Sequence, residues 1–318
     1  MNLFPRRLAA ALAGLALLAT ASACTSDGGS AVNDDQTTVV VGAYPFEFVT
    51  ERIAGDMVEV TNLLAPGADG HDLELSPQQV ATVGQADLLV YQSKYQASFD
   101  AAVDQQASGR VLDTADFLEL RPAAGHGHAD DEHAQDEDAD GHDHGSFDPH
   151  VWLDPMNIAE IGNHVAAELS ELDPDNATHY QANAEALTAD MTALDGDFAT
   201  GLVNCRTTTF VTNHAAFGYL ADRYALHMVG ISGLSTEEEP SPARIAEVQQ
   251  IAQDNDLTTI FYETTVSPKV AEIIAADLGL ETDVLDPLET HSDESRGDNY
   301  IEVMHSNLQA LRTANGCQ

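Results

Sequence analysis

Along this chain, short β-branched and apolar runs alternate with stretches of helical spacing. In the first half "TTVVVGA" precedes a helical pattern over 45–54 and "MVEVTNLL" follows it. "SPQQVATVGQ" then opens on a Ser-Pro helix start, where serine caps and proline fits the first turn. "ADLLVYQ" reads as a buried strand, "YQASFDAAVDQQ" as a helix and "RVLDT" as another strand. The second half repeats the rhythm. "TTTFVT" leads to a helix from Ala215, "ALHMVG" to "SPARIAEVQQIAQDN", and "LTTIFYE" to "SPKVAEIIAADLG". "ETDVLD" precedes a last helix running to Leu311. Strands alternating with helices of this length predict an α/β fold of two lobes with mainly parallel sheets.

Between the halves lies "DPDNATHYQANAEALTADMTALDGDFATGL", rich in alanine and interrupted by a single glycine before its end, Gly196. Asp175 or Asn176 can cap it, and it reads as one long helix over 176–203. The expected organisation is a leader over 1–23, a tether over 24–36 and an N-terminal lobe over 37–175. The linking helix and a C-terminal lobe over 204–318 follow. A single rigid helix between lobes differs from the flexible strands that allow wide hinge closure.

The leader carries Arg6 and Arg7 ahead of an apolar run from Leu8 to Ala23. That run is short for a membrane span and ends in small residues, as a secretory signal does. "ASAC" resembles a bacterial lipobox, which makes Cys24 the expected lipidated first residue of the mature chain. Acyl chains there would anchor an otherwise soluble protein. Export also bears on Cys205 and Cys317, the two remaining cysteines: an even pair in an oxidising compartment predicts a disulfide. A zinc site built on these two is disfavoured, since neither lies in a CxxC or beside a histidine.

The formal net charge is −41. Nucleic acids and anionic substrates need clustered basic residues and are excluded as partners; cations are welcome. Four potential ligands fall where open α/β sheets place theirs, at or near the carboxyl ends of strands. They are His71 in "APGADGHDLELSP", His150 in "FDPHVWLDP", His214 in "FVTNHAAFGYL" and Asp286 in "TDVLDPLE". Two come from each lobe, so a metal site in the inter-lobe cleft is expected. Three imidazoles and one carboxylate suit tetrahedral Zn²⁺.

"PGADGHDLELSP", "HVWLDP", "NHAAFGYLADRY" and "LDPL" resemble the successive signatures of the metal-binding receptors of zinc and manganese ABC transporters. The resemblance runs from about Thr37 to Cys317. Carried over motif by motif, it implies His71, His150, His214 and Asp286 as ligands of a transported Zn²⁺. It also implies an ABC permease and its ATPase as partners of a monomeric, non-enzymatic receptor. The manganese branch commonly has glutamate as its third ligand; His214 points to zinc instead. Manganese receptor and surface adhesin are the alternatives. A secreted zinc hydrolase is disfavoured, because there is no HExxH and four protein ligands leave no open position.

Residues 125–145, "GHGHADDEHAQDEDADGHDHG", hold His126, His128, His133, His142 and His144 among eight carboxylates. A stretch this polar and repetitive cannot fold alone. A His/Asp/Glu-rich loop here is a trait of the zinc branch, and it is expected to be an accessory, weak metal collector. Of the other candidates, Glu263 could orient His214, Asp69 could support His71, and Trp152 is expected to pack beside the site and exclude water. His164, His179 and His305 fall in helical patterns and His227 in a strand, away from metal. His291 lies close to the last motif.

Overall fold

The computed structural model describes residues 36–123, 147–234 and 239–318. The leader, Cys24 and most of the tether lie outside the described residues, as do the histidines at 126, 128, 133, 142 and 144.

Two four-stranded parallel sheets carry the architecture. In the first, β1 (Thr37–Val41), β2 (Val58–Asn62), β3 (Leu88–Tyr91) and β4 (Arg110–Asp113) lie in the order β2-β1-β3-β4. In the second, β5 (Thr209–Thr212), β6 (His227–Gly230), β7 (Thr259–Tyr262) and β8 (Glu281–Val284) repeat it as β6-β5-β7-β8. The central strands β1, β3, β5 and β7 expose no residue, as strands covered on both faces must, whereas each edge strand has at least one exposed position.

Helices α2 (Pro77–Gln85) and α3 (Ala97–Gln106) cover the outer face of the first sheet. Helices α7 (Pro242–Asp254) and α8 (Lys269–Leu278) do the same for the second. The Ser-Pro starts behave as their chemistry requires. Ser76 and Gln79 form a reciprocal capping box on α2, and Ser241 accepts from Arg244 N–H on α7.

The inner faces share one core built on α1 (Tyr44–Ala54), α4 (Pro155–Leu172), α5 (Ala177–Gly201), α6 (Gly218–Arg223) and α9 (Tyr300–Asn315). The long connection is α5, which buries Tyr180, Ala184, Leu187, Met191, Leu194 and Phe198. These recur every three or four residues, a seam that packs mainly on α4. Helix α4, started by Asp154 and Pro155, was anticipated only as a helical pattern around His164, without bounds. The cap of α5 also differs from expectation. Asn176 stands at the N-cap without a side-chain bond to the helix; its amide goes to Asp173, which also accepts from the Tyr180 hydroxyl.

Cys205, after α5, is disulfide-bonded to Cys317, after α9. Arg206 N–H donates to the Asn315 carbonyl alongside it, so the chain's end is held against the start of the second sheet.

Candidate metal centre

His71, His150 and His214 meet at the carboxyl ends of the strands, and the carboxylate that joins them is Glu289. His214 stands two residues past β5, and Glu289 lies in the loop between β8 and α9. His71 follows β2 through the loop before α2, and His150 precedes the short 3-10 turn Val151–Leu153. Three of the four are almost fully buried, while the His71 side chain keeps 12% of its surface exposed.

The Nε2 atom of His150 lies 3.2 Å from that of His71 and 3.4 Å from that of His214. Glu289 Oε1 is 3.4, 3.2 and 3.4 Å from Nε2 of His71, His150 and His214. A tetrahedron with arms of about 2.0–2.1 Å has edges of about 3.3–3.4 Å. Five of the six edges of this cluster therefore match a tetrahedral Zn²⁺-sized cation, and all donor atoms lie within 4.8 Å of one another.

The outward-facing ring nitrogens explain why the inner ones are available. His150 Nδ1 is 2.8 Å from Asp148 Oδ1, and His214 Nδ1 is 2.7 Å from Glu263 Oε2. A carboxylate only accepts, so each Nδ1 carries the proton and each Nε2 turns a lone pair to the centre. Lone pairs crowded this closely repel unless a cation or protons sit among them.

Without a metal, protons take that place. Burial pulls the His214 pKa down, but the charges of Glu263 and Glu289 and their hydrogen bonds carry it well above the usual range. His150 is raised too, with burial opposing Asp148 and Glu289. Burial pushes the Glu289 carboxyl up, and the three imidazoles outweigh it, holding Glu289 well below the ordinary value. Metal binding must then expel protons.

Backbone and ring contacts fix the site further. Gly70 N–H donates to Glu289 Oε2 at 3.1 Å. A Cβ at Gly70 would stand 1.7 Å from the Tyr95 hydroxyl, so only glycine allows that approach. His71 N–H donates to Asp69 Oδ1 at 2.9 Å. Trp152 is buried against His150, the rings at 70° with 5.4 Å between centroids, and its Nε1–H donates to the Pro287 carbonyl.

Asp286, the carboxylate expected from sequence, is not brought into this cluster. Its Oδ1 accepts from Leu288 N–H at 2.8 Å, and Asn307 of α9 grips its backbone N–H and carbonyl. Its pKa is raised, by burial above all. The turn it makes runs through Leu288 at φ +60 and delivers Glu289 instead. Asp148 was also missed, although Asp-x-His is a local signal: an aspartate readily accepts from the N–H two residues on. Asp69 and His71 repeat it.

The remaining histidines among the described residues stand away from the cluster. His291 stacks on Tyr44 at 4.9 Å and bonds the Gly297 carbonyl. His164 stacks on Phe117, His179 meets Asn183, His305 stands 4.0 Å from Asp197, and His227 is exposed in β6.

The model of the family described as "Zinc-uptake complex component A periplasmic" (ZnuA) matches residues 39–314. The chain belongs to the ZnuA family. It is 35% identical over 311 residues to the zinc-binding lipoprotein AdcA of Streptococcus pneumoniae, with 96% of this chain and 60% of that relative covered. It therefore spans about 60% of the length of that relative. The high-affinity zinc uptake system protein ZnuA of Bacillus subtilis is 32% identical over 307 residues, with 95% of each covered. Among solved structures, the laminin-binding protein Lmb of Streptococcus agalactiae superposes with a TM-score of 0.76 at 32% identity. The match covers 88% of this chain and 99% of Lmb, which is described as a bifunctional protein with adhesin and metal-transporting activity. The family's description makes its members a component of a zinc-uptake complex, and the fold shared with Lmb is the two-lobed α/β arrangement seen here.

Proposed function

We propose that this protein captures Zn²⁺ outside the cytoplasm and delivers it to an ABC permease driven by its ATPase. The observation that supports this reading is the tetrahedral set of His71, His150, His214 and Glu289, with Nδ1 of His150 and His214 pinned by carboxylates. Three nitrogens and one oxygen favour zinc over manganese, which prefers oxygen-rich, higher-coordinate sites. Four protein donors leave no open position for an activated water, so the centre carries an ion and does not hydrolyse a substrate.

Around that centre, residues 1–23 act as an export signal, and Cys24 is the lipidated anchor at the end of a tether reaching to 36. The lobes over 37–175 and 204–318 enclose the ion, and residues 125–145 collect zinc weakly. The protein works as a monomer and binds no nucleic acid.

The test is metal analysis of the purified mature chain, with titration by Zn²⁺ and Mn²⁺ in competition. One tight Zn²⁺ per chain that survives deletion of 125–145 is expected, with weaker sites lost. Preference for Mn²⁺, or loss of the tight site on that deletion while the lobes stay folded, would overturn the assignment. A second role as an adhesin, favoured by the likeness to Lmb, would appear as retention on immobilised laminin.

A further inference from the structure

The 124–146 stretch leaves and rejoins the lobe through a neck. Pro122 and Phe147 form an antiparallel bridge, and Asp148 N–H donates to the Arg121 carbonyl at 2.9 Å. Tyr219, from α6 beyond the linking helix, seals the pair. Its hydroxyl accepts from Arg121 N–H and donates to the Asp148 carbonyl, each at 2.9 Å. The Arg121 guanidinium donates to Asp148 Oδ2 at 3.0 Å and also pairs with Asp222 of α6.

The other oxygen of the same carboxylate belongs to the metal centre. Asp148 Oδ1 accepts from His150 Nδ1 at 2.8 Å and from His150 N–H at 3.0 Å. Asp148 is buried, with its side chain 1% exposed, so each oxygen depends on the partner it has. Arg121 is the group that holds Oδ2 in place; without it the carboxylate can rotate and carry Oδ1 off the line to His150 Nδ1.

The packing tightens this link. A Cβ at Gly218 would lie 1.8 Å from Arg121 Nη1 and 2.4 Å from Asp148 Oδ2. The start of α6, shortly after His214, is thus pressed onto the neck. The segments bearing His150 and His214 meet there a second time, behind the metal centre.

We propose that Arg121 and Tyr219 are positioning residues for His150, acting through Asp148, so that the neck of the 124–146 stretch sets the angle of one imidazole. The proposal rests on the reading of the four donors as a zinc site. Full-length wild type, Arg121→Ala, Arg121→Lys, Tyr219→Phe and Gly218→Ala are titrated with Zn²⁺ against a chelator, with His150→Ala as control. Visible spectra of the Co²⁺-loaded proteins report ligand geometry.

Arg121→Ala, Tyr219→Phe and Gly218→Ala should weaken Zn²⁺ binding about tenfold or more, within the roughly 10–100-fold range of such outer partners. Their Co²⁺ spectra should change in shape and intensity. Arg121→Lys keeps the charge but not the planar fork, and should fall between Arg121→Ala and wild type. Should an alanine variant fail to fold, Arg121→Lys and Tyr219→Phe decide the matter. A merely structural neck would lower the melting temperature and leave affinity and spectrum alone. That result, with His150→Ala weak, overturns this proposal only; His150→Ala binding like wild type overturns the zinc-site reading and this proposal with it.

Discussion

Two imidazole–carboxylate pairs, His150–Asp148 and His214–Glu263, perform the same task with different electrostatics. Asp148 is two residues from its histidine and divides its charge between the ring and Arg121. Glu263 comes from the end of β7, 49 positions from His214, and places both oxygens against one ring nitrogen. Both carboxylates are buried. The charge that Asp148 shares with a guanidinium is directed, in the Glu263 pair, at the ring and the backbone N–H of His214. Burial opposes protonation of both rings; against it His214 holds its proton well above the ordinary range, and His150 is raised as well. A buried carboxylate behind a ligand thus tunes the ligand's basicity by what else it must neutralise.

Removing the rings themselves should have the largest effect. His150→Ala and His214→Ala should each weaken zinc binding beyond the roughly 100-fold upper range of outer partners, measured by chelator competition. The two should differ in the metal-free protein. His214→Ala takes the ring donor from buried Glu263, which keeps the backbone N–H of residue 214, and should cost about 1–3 kcal/mol by denaturant unfolding. His150→Ala leaves Asp148 with Arg121 and should cost less. Equal losses would show that Arg121 does not distinguish the pairs.

Next come the carboxylates. Glu263→Gln should weaken zinc binding roughly 10–100-fold at neutral pH. It should also flatten the pH dependence, which Asp148→Asn should alter less. Zinc displaces the His214 proton, so wild-type affinity should fall as pH falls through the raised pKa, about tenfold per unit for each proton lost. The sign reverses for the metal-free fold. A histidine raised on folding contributes stability fully below its unfolded value of about 6.5, and that contribution is lost as pH rises through the folded pKa. Glu263→Gln should therefore cost the metal-free protein most in acid and least in alkali. Melting curves at several pH values would check this, and the opposite order would remove the asymmetry.

The smallest effect on zinc should come from the disulfide, which joins the ends of α5 and α9 and contacts neither pair. Cys205→Ser with Cys317→Ser should lower stability by about 4–5 kcal/mol in the chain-entropy model. Zinc affinity should stay within about twofold if the lobes then refold as before. A larger loss would show that the clamp on the second sheet also sets the position of His214.

Much of this was legible along the chain because its causes are local. Alternating apolar runs specify strands, Ser-Pro starts specify helices, and ligands follow from strand ends. Glu263 was readable as an orienting group because β5 and β7 are neighbours in the second sheet and His214 and Glu263 follow them directly. Helix α4 was read only as a helical pattern around His164 although Asp154-Pro155 marks its start, and the role of Asp148 was missed beside a histidine already singled out.

By itself, then, the sequence determined the repeated strand-helix rhythm, the three imidazoles and the cysteine pair, each a matter of residue type at a strand end or of chemistry in an oxidising compartment. Only the tertiary structure decided which carboxylate completes the centre. Asp286 and Glu289 stand three positions apart, both acidic and both beyond β8. Asn307 of α9 grips the Asp286 backbone, and the Asp286 side chain turns back to hold Leu288 N–H. Glu289 is then met from the other sheet's lobe, its carboxylate by Gly70 N–H and its carbonyl by Tyr44 N–H. Those partners lie about 220 to 245 residues away in sequence, and a one-dimensional pattern does not encode which of two neighbouring carboxylates such distant donors will reach.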